Sequence, residues 1–172
     1  MKILILNGSP RIEGNTMAMI KAFHKGANEA GHEVKTFDVC HMDINGCMGC
    51  EYCHTKGNGK CIQDDDMQEI YPYVEEAEMI VLGSPIYYFN ISGQLQSAIS
   101  RTYNKGIPKK LNKAALILSS GSDNVYEAAI YSYNLGFINY MELEDMGIYT
   151  AYGSQNKSKE KLEELYNLGN NL

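Results

Sequence analysis

A chain of 172 residues has room for one well-buried core and not for two ordinary domains. A net charge of −6, with Lys109-Lys110 the only adjacent lysines, leaves no basic stripe to neutralise a nucleic-acid backbone. The apolar runs Ile3–Leu6, Met79–Leu82 and Ala114–Leu118 are too short to span a bilayer, and the first is too short for a secretory h-region. The expectation is a cytoplasmic protein with neither membrane nor nucleic acid as partner.

The first element is a strand over Lys2–Asn7, followed by the small and polar loop Gly8–Gly14 and a helix over Asn15–Ala30. Met17, Ile20, Phe23 and Ala27 share one face of that helix, and Gly31 closes it. A strand, a Gly/Ser-rich turn and a helix start together make an anion site, because the first-turn amides are unpaired and the helix dipole is positive there. Ser9, Asn15 and Thr16 add side-chain donors, Arg11 adds a permanent charge, and Gly8 and Gly14 allow close approach. The loop lacks the Lys-Ser/Thr pair of a P-loop and the GxGxxG of a dinucleotide fingerprint. The bland alternative is an ordinary strand–helix turn capped by Asn15 or Thr16.

A second strand is predicted over Glu33–Asp38, then an irregular stretch, Val39–Gln63, holding all five cysteines. Four read Cys47-x2-Cys50-x2-Cys53-x7-Cys61. Successive x2 spacings return sulfurs to one side of a loop, and the run resembles ferredoxin-type ligation of a [4Fe–4S] cluster. Two further readings stay open: redox-active or simply reduced thiols, and zinc, although zinc usually takes two separated Cys-x2-Cys knuckles. His54 reads as a solvated neighbour, and Cys40 as a small buried apolar residue at a strand end.

Asp64-Asp65-Asp66 supplies capping carboxylates for a helix over Asp65–Glu76, which Pro72 should kink or break. Strands follow at Met79–Gly83, Ala114–Ser119 and Leu143–Ala151, with helices at Gly93–Tyr103, Asn124–Asn139 and Lys159–Leu168 and a polar break at Gly153–Ser158. Five strands alternating with five helices imply an α/β, doubly wound parallel sheet covered on both faces. Ligands of such sheets bind beyond the carboxyl ends of the strands. Three polar loops should meet at that edge: Asn7–Thr16, Ser84–Ser92 and Ser119–Asp123. In the second, Tyr87, Tyr88 and Phe89 offer flat rings to a flat ligand. The scattered Asp and Glu residues provide no acid–base dyad, and the first loop has no nucleophile for phosphate-ester chemistry.

Three motifs in order carry a family resemblance: Asn7-Gly8-Ser9-Pro10-Arg11…Gly14-Asn15-Thr16, then Cys47-Met48-Gly49-Cys50-Glu51-Tyr52-Cys53…Cys61-Ile62-Gln63-Asp64-Asp65-Asp66-Met67, then Gly83-Ser84-Pro85-Ile86-Tyr87-Tyr88. Over residues 1–121 the chain resembles the NADPH-dependent FMN reductases of flavodoxin-like fold, and within them the iron–sulfur flavoprotein branch. The resemblance implies a single FMN-binding domain over residues 1–172 with a cysteine-rich insertion at about 40–63. It implies FMN with its phosphate against Ser9, Arg11, Gly14, Asn15 and Thr16. The isoalloxazine ring would lie against Pro85, Ile86, Tyr87, Tyr88, Phe89, Asn90, Ser119, Ser120 and Gly121. It further implies a [4Fe–4S] cluster on Cys47, Cys50, Cys53 and Cys61, NAD(P)H as hydride donor, a small-molecule or redox-protein acceptor, and a homodimer or homotetramer with the cysteine loop near a neighbour's flavin. The leading expectation is an FMN-dependent oxidoreductase that passes electrons onward. The alternatives are a cluster-free NAD(P)H-dependent FMN, quinone or nitro reductase, and a zinc- or thiol-stabilised binding module without catalysis.

Overall fold

A computed structural model describes residues 1–172. Five parallel strands, β1 (Lys2–Asn7), β2 (Glu33–Asp38), β3 (Met79–Pro85), β4 (Lys113–Ser120) and β5 (Glu144–Tyr152), pair in the order β2-β1-β3-β4-β5. This is the flavodoxin-like order, whose switch point lies between β1 and β3. Strand residues alternate between two cores, as the two-residue period demands. Leu4, Leu6, Ile80, Leu82, Leu116 and Leu118 face one side with α2 (Met67–Glu76), α3 (Gly93–Arg101) and α4 (Glu127–Tyr133). Ile3, Ile5, Met79, Val81, Ala115 and Ile117 face the other with α1 (Asn15–Glu29) and α5 (Lys159–Asn170). The helices α1 and α5 approach very closely: a Cβ on Gly26 would stand 2.0 Å from the Tyr166 carbonyl oxygen. Only glycine fits there.

Several boundaries differ from expectation for identifiable reasons. Pro72 does not break α2, which runs unbroken to Glu76. The carbonyl that the missing N–H orphans belongs to the exposed Gln68, where water can satisfy it. The helix expected over Asn124–Asn139 starts late, because Asn124 takes a left-handed conformation (φ 57°), and it loosens after Tyr133 into a π-helical segment, Asn134–Tyr140. Helix α3 tightens into a 3₁₀ turn after Arg101. No helix is long and apolar enough to cross a membrane.

Candidate functional site

The loop after β1 is built from its own side chains. Asn7 donates to Asp38 (2.8 Å), and its Oδ1 accepts the Ser9 amide (3.1 Å). The Ser9 hydroxyl accepts the Arg11 amide (3.3 Å), while the Gly8 amide donates to the Gly83 carbonyl (2.7 Å). A Cβ on Gly8 would meet Ser92 Oγ at 2.5 Å, so the loop can lie this close to α3 only with glycine there.

The N-cap of α1 is Gly14, not Asn15 or Thr16, and it makes no side-chain cap bond. This correction bears on function. The Asn15, Thr16 and Met17 amides lie in the first turn, where no helical carbonyl can reach them, and none has another partner. The Arg11 guanidinium and the Asn15 amide group also make no hydrogen bond within the chain. Thr16 is spent differently: its buried hydroxyl meets Ser119 Oγ at 2.7 Å and ties the α1 start to the end of β4.

Arg11, Asn15 and Thr16 line one cavity of about 300 Å³ at the carboxyl edge of the sheet. Its walls bring together Ser9, Arg11, Gly14, Asn15 and Thr16 from the first loop, Pro85, Ile86 and Tyr87 from the second, and Ser119, Ser120 and Gly121 from the third. Tyr88, Phe89 and Asn90 stay outside those walls. Tyr87 and Asn90 exchange backbone hydrogen bonds (2.9 and 3.2 Å) around a two-residue turn in which Tyr88 and Phe89 are both left-handed, at φ 51° and 66°. Such turns favour Asn-Gly. Here they hold two rings in water, with Tyr88 96% exposed. Two wall residues had no sequence signal, Gly153 and Asn156, in the turn after β5. Buried Asn156 donates to the Ser120 and Gly153 carbonyls, both at 2.9 Å, and so braces the third loop.

The cysteine segment is tied at its base. Asp66 accepts the Asp43 amide (2.7 Å), Asp65 accepts the Asn45 amide (3.2 Å), and the Asp66 amide donates to the Asp43 carbonyl (3.0 Å). The aspartates expected to cap α2 therefore serve mainly to close this loop, though Asp65 also accepts the Met67 amide (3.2 Å). Arg101 fixes the closure. It is 1% exposed and donates to both Asp65 oxygens (2.5 and 3.0 Å) and to the Asn45 carbonyl (2.8 Å). Burial alone would push the Asp65 carboxyl up, but hydrogen bonds from Arg101 and the Asn45 amide hold it below the ordinary value. A lone arginine in a helix carries no motif, so this anchor is invisible in the sequence.

Cys47, Cys50, Cys53 and Cys61 line one narrow cleft with Arg101, Tyr103 and Asn104. All are free thiols, and no three His, Cys, Asp or Glu side chains converge on a point as a mononuclear metal site requires. A polynuclear cluster makes a different demand, since each thiolate binds a different iron and the sulfurs need only ring a cavity. Burial acts to raise the Cys61 thiol, but the Gln63 amide and the Arg101 charge hold it below the usual range, which suits a thiolate ligand. Burial pushes Cys53 up. His54 Nε2 pairs with the Tyr103 carbonyl (3.1 Å), and its ring packs edge-on against the Tyr103 ring. Cys40 is half-buried and donates to the Gly8 carbonyl (3.0 Å), so it supports the first loop instead of filling a core.

A flavodoxin-like sheet with a cavity lined by free donors at its carboxyl edge defines the class of protein. Residues 1–154 match the family described as NADPH-dependent FMN reductase, and the chain belongs to it. An iron–sulfur flavoprotein of Archaeoglobus fulgidus is 40% identical over 101 residues, 59% of this chain and 45% of that protein. One of Clostridioides difficile is 28% identical over 173 residues, 95% of this chain and 73% of that protein. The chain spans about half the length of the archaeal relatives it matches. Among solved structures, an NAD(P)H:quinone oxidoreductase from Methanothermobacter marburgensis superposes with a TM-score of 0.74 at 15% identity, covering 99% of this chain and 95% of that one. At that identity the likeness is one of fold.

Proposed function

We propose that this protein is an FMN-dependent oxidoreductase that holds FMN in the switch-point cavity and a [4Fe–4S] cluster on Cys47, Cys50, Cys53 and Cys61. The observation that carries the reading is the meeting of three sequence-distant loops at one cavity whose first wall is rich in free donors. The Asn15 and Thr16 amides and Arg11 suit a phosphate. Pro85, Ile86 and Tyr87 give an apolar wall, and Ser119, Ser120 and Gly121 a polar one, for a flat ring whose edge needs hydrogen bonds. That the relatives are iron–sulfur flavoproteins by name adds support for an iron–sulfur cluster.

Bound FMN supplies hydride and single-electron chemistry. The chain's own contribution is placement. The Thr16–Ser119 bond fixes two walls against each other, and Gly8 brings the first loop close to α3. Asp65 and Arg101 hold the cysteine loop closed at its base. In this reading NAD(P)H delivers hydride, and a small molecule or redox protein accepts electrons. The exposed rings of Tyr88, Phe89, Tyr131 and Tyr140 suit burial against a second copy in a homo-oligomer.

The test is a visible spectrum with iron, sulfide and zinc analysis on protein purified without oxygen. Flavin with about four irons per chain is the expected result. Flavin without metal would leave a two-electron NAD(P)H-dependent FMN, quinone or nitro reductase. Zinc without flavin, after reconstitution, would leave a binding module and overturn the proposal.

A further inference from the structure

Five buried side-chain polar atoms lack any hydrogen-bond partner; two of them, Arg101 Nε and Asn104 Oδ1, belong to residues lining the cysteine cleft, and a third, Tyr71 Oη, to a neighbour of Cys61. Each such atom carries the desolvation cost of an unmade bond, so a cluster of them asks for a reason. Both terminal nitrogens of Arg101 already donate to Asp65 and Asn45, whereas its Nε–H has no partner at all. The Tyr71 hydroxyl lies beside both Cys61 and Arg101, on a ring that Lys105 Nζ overlies at 5.2 Å. Two donors without partners, Tyr71 Oη–H and Arg101 Nε–H, therefore lie beside one of the four cysteines, while the Arg101 and Lys105 charges are themselves paired with Asp65 and Glu75. The exposed Cys47 and Cys50 have no comparable floor. A neutral thiol is a poor acceptor for such donors, whereas a cluster-bound thiolate is a good one.

We propose that Tyr71 and Arg101 are positioning residues for the cluster, donating to the Cys61 sulfur once it is bound and so raising the cluster's reduction potential. The inference rests on the cluster reading above. One-electron reduction adds one negative charge to a group that already carries net negative charge with its thiolates. Hydrogen-bond donors to a ligand sulfur stabilise that more negative form most. The structural cost and the redox benefit fall on different states: the hydroxyl is unpaired without the cluster and paired with it.

Tyr71→Phe separates these states, because it deletes one donor and keeps the ring. In the metal-free protein the thermal midpoint should stay level or rise, since an unpaired buried hydroxyl is lost. In the anaerobically reconstituted protein, a redox titration followed by electron paramagnetic resonance should give a lower midpoint than wild type. Release of iron to a chelator should also be faster. Arg101→Lys, which keeps the charge and removes Nε–H, should lower the midpoint in the same direction; if it does not fold, Tyr71→Phe decides alone. A Tyr71→Phe midpoint equal to wild type overturns the proposal. Failure of the wild-type protein to take up iron is a separate result, which overturns the cluster reading itself.

Discussion

Thr16 and Ser119 are 103 residues apart and join hydroxyl to hydroxyl at 2.7 Å beneath the cavity. Thr16 opens α1 after β1, and Ser119 ends β4, so the bond spans the sheet across β3. Thr16→Val keeps the shape and strands the Ser119 hydroxyl, which should cost about 1–3 kcal/mol in denaturant unfolding. Adding Ser119→Ala should recover part of that loss, since no polar group is then left unpaired. Additive losses in the double-mutant cycle would show that the two hydroxyls do not depend on each other.

Arg11 is the exposed, unpaired charge of the first wall. If it faces a phosphate, Arg11→Ala should weaken FMN binding roughly ten- to hundred-fold, the worth of a charge-assisted hydrogen bond. Riboflavin, which lacks the phosphate, should bind the variant as it binds wild type. Fluorescence-quenching titrations of both flavins measure the difference directly. Equal losses for the two would move the phosphate away from Arg11.

The parts of this architecture that were legible in the sequence are those with a period or a punctuated motif. The continuous apolar run Ile3–Leu6 marks a strand buried on both faces, and the loops following β1, β3 and β4 announce themselves by small and polar residues at strand ends. Their shared cavity could be anticipated because parallel sheets gather such loops at one edge. Asn156 was not legible: it lies in a polar turn that resembles any linker, and its importance comes from two carbonyls brought to it by the fold. Arg101 was hidden for a similar reason, since a basic residue in the last turn of a helix has an ordinary explanation in the helix dipole. The aromatic run after β3 divides between two places, with Tyr87 in the cavity wall and Tyr88 and Phe89 outside it. An aromatic run past a strand end suggests stacking on a ligand, and nothing in the sequence announces the left-handed backbone at Tyr88 and Phe89 that separates those two rings from Tyr87.

Asn156 offers a test of the turn after β5. Its amide nitrogen supplies hydrogen bonds to both the Ser120 and Gly153 carbonyls. Asn156→Ala should lower stability by about 1–3 kcal/mol for the two bonds and loosen the third wall. Asn156→Asp should be worse despite its similar size, because a carboxylate has no donor and would face two carbonyl oxygens. Flavin affinity should fall in the same order, Asp below Ala below wild type. Thermal melts alongside flavin titrations check the ranking, and an aspartate variant as tight-binding as wild type would remove Asn156 from the wall.

The Asp65–Arg101 pair sets a pH dependence whose sign can be worked out. Both side chains are buried, and the Asp65 carboxyl lies below its ordinary value in the folded protein. The unfolded state therefore binds its proton more readily. The stabilisation is complete above the unfolded carboxylate value of about 3.9 and is lost as pH falls further, through the depressed folded value. Asp65→Asn should cost about 3–5 kcal/mol at neutral pH, because the Arg101 guanidinium is left buried without its counter-charge. The gap between variant and wild type should narrow as pH drops below about 4, where wild type protonates the same carboxyl. Urea unfolding at neutral pH and at successively lower pH gives both quantities. A gap that stays constant across that range would mean that the cost of Asp65→Asn comes from loop packing and not from the ion pair.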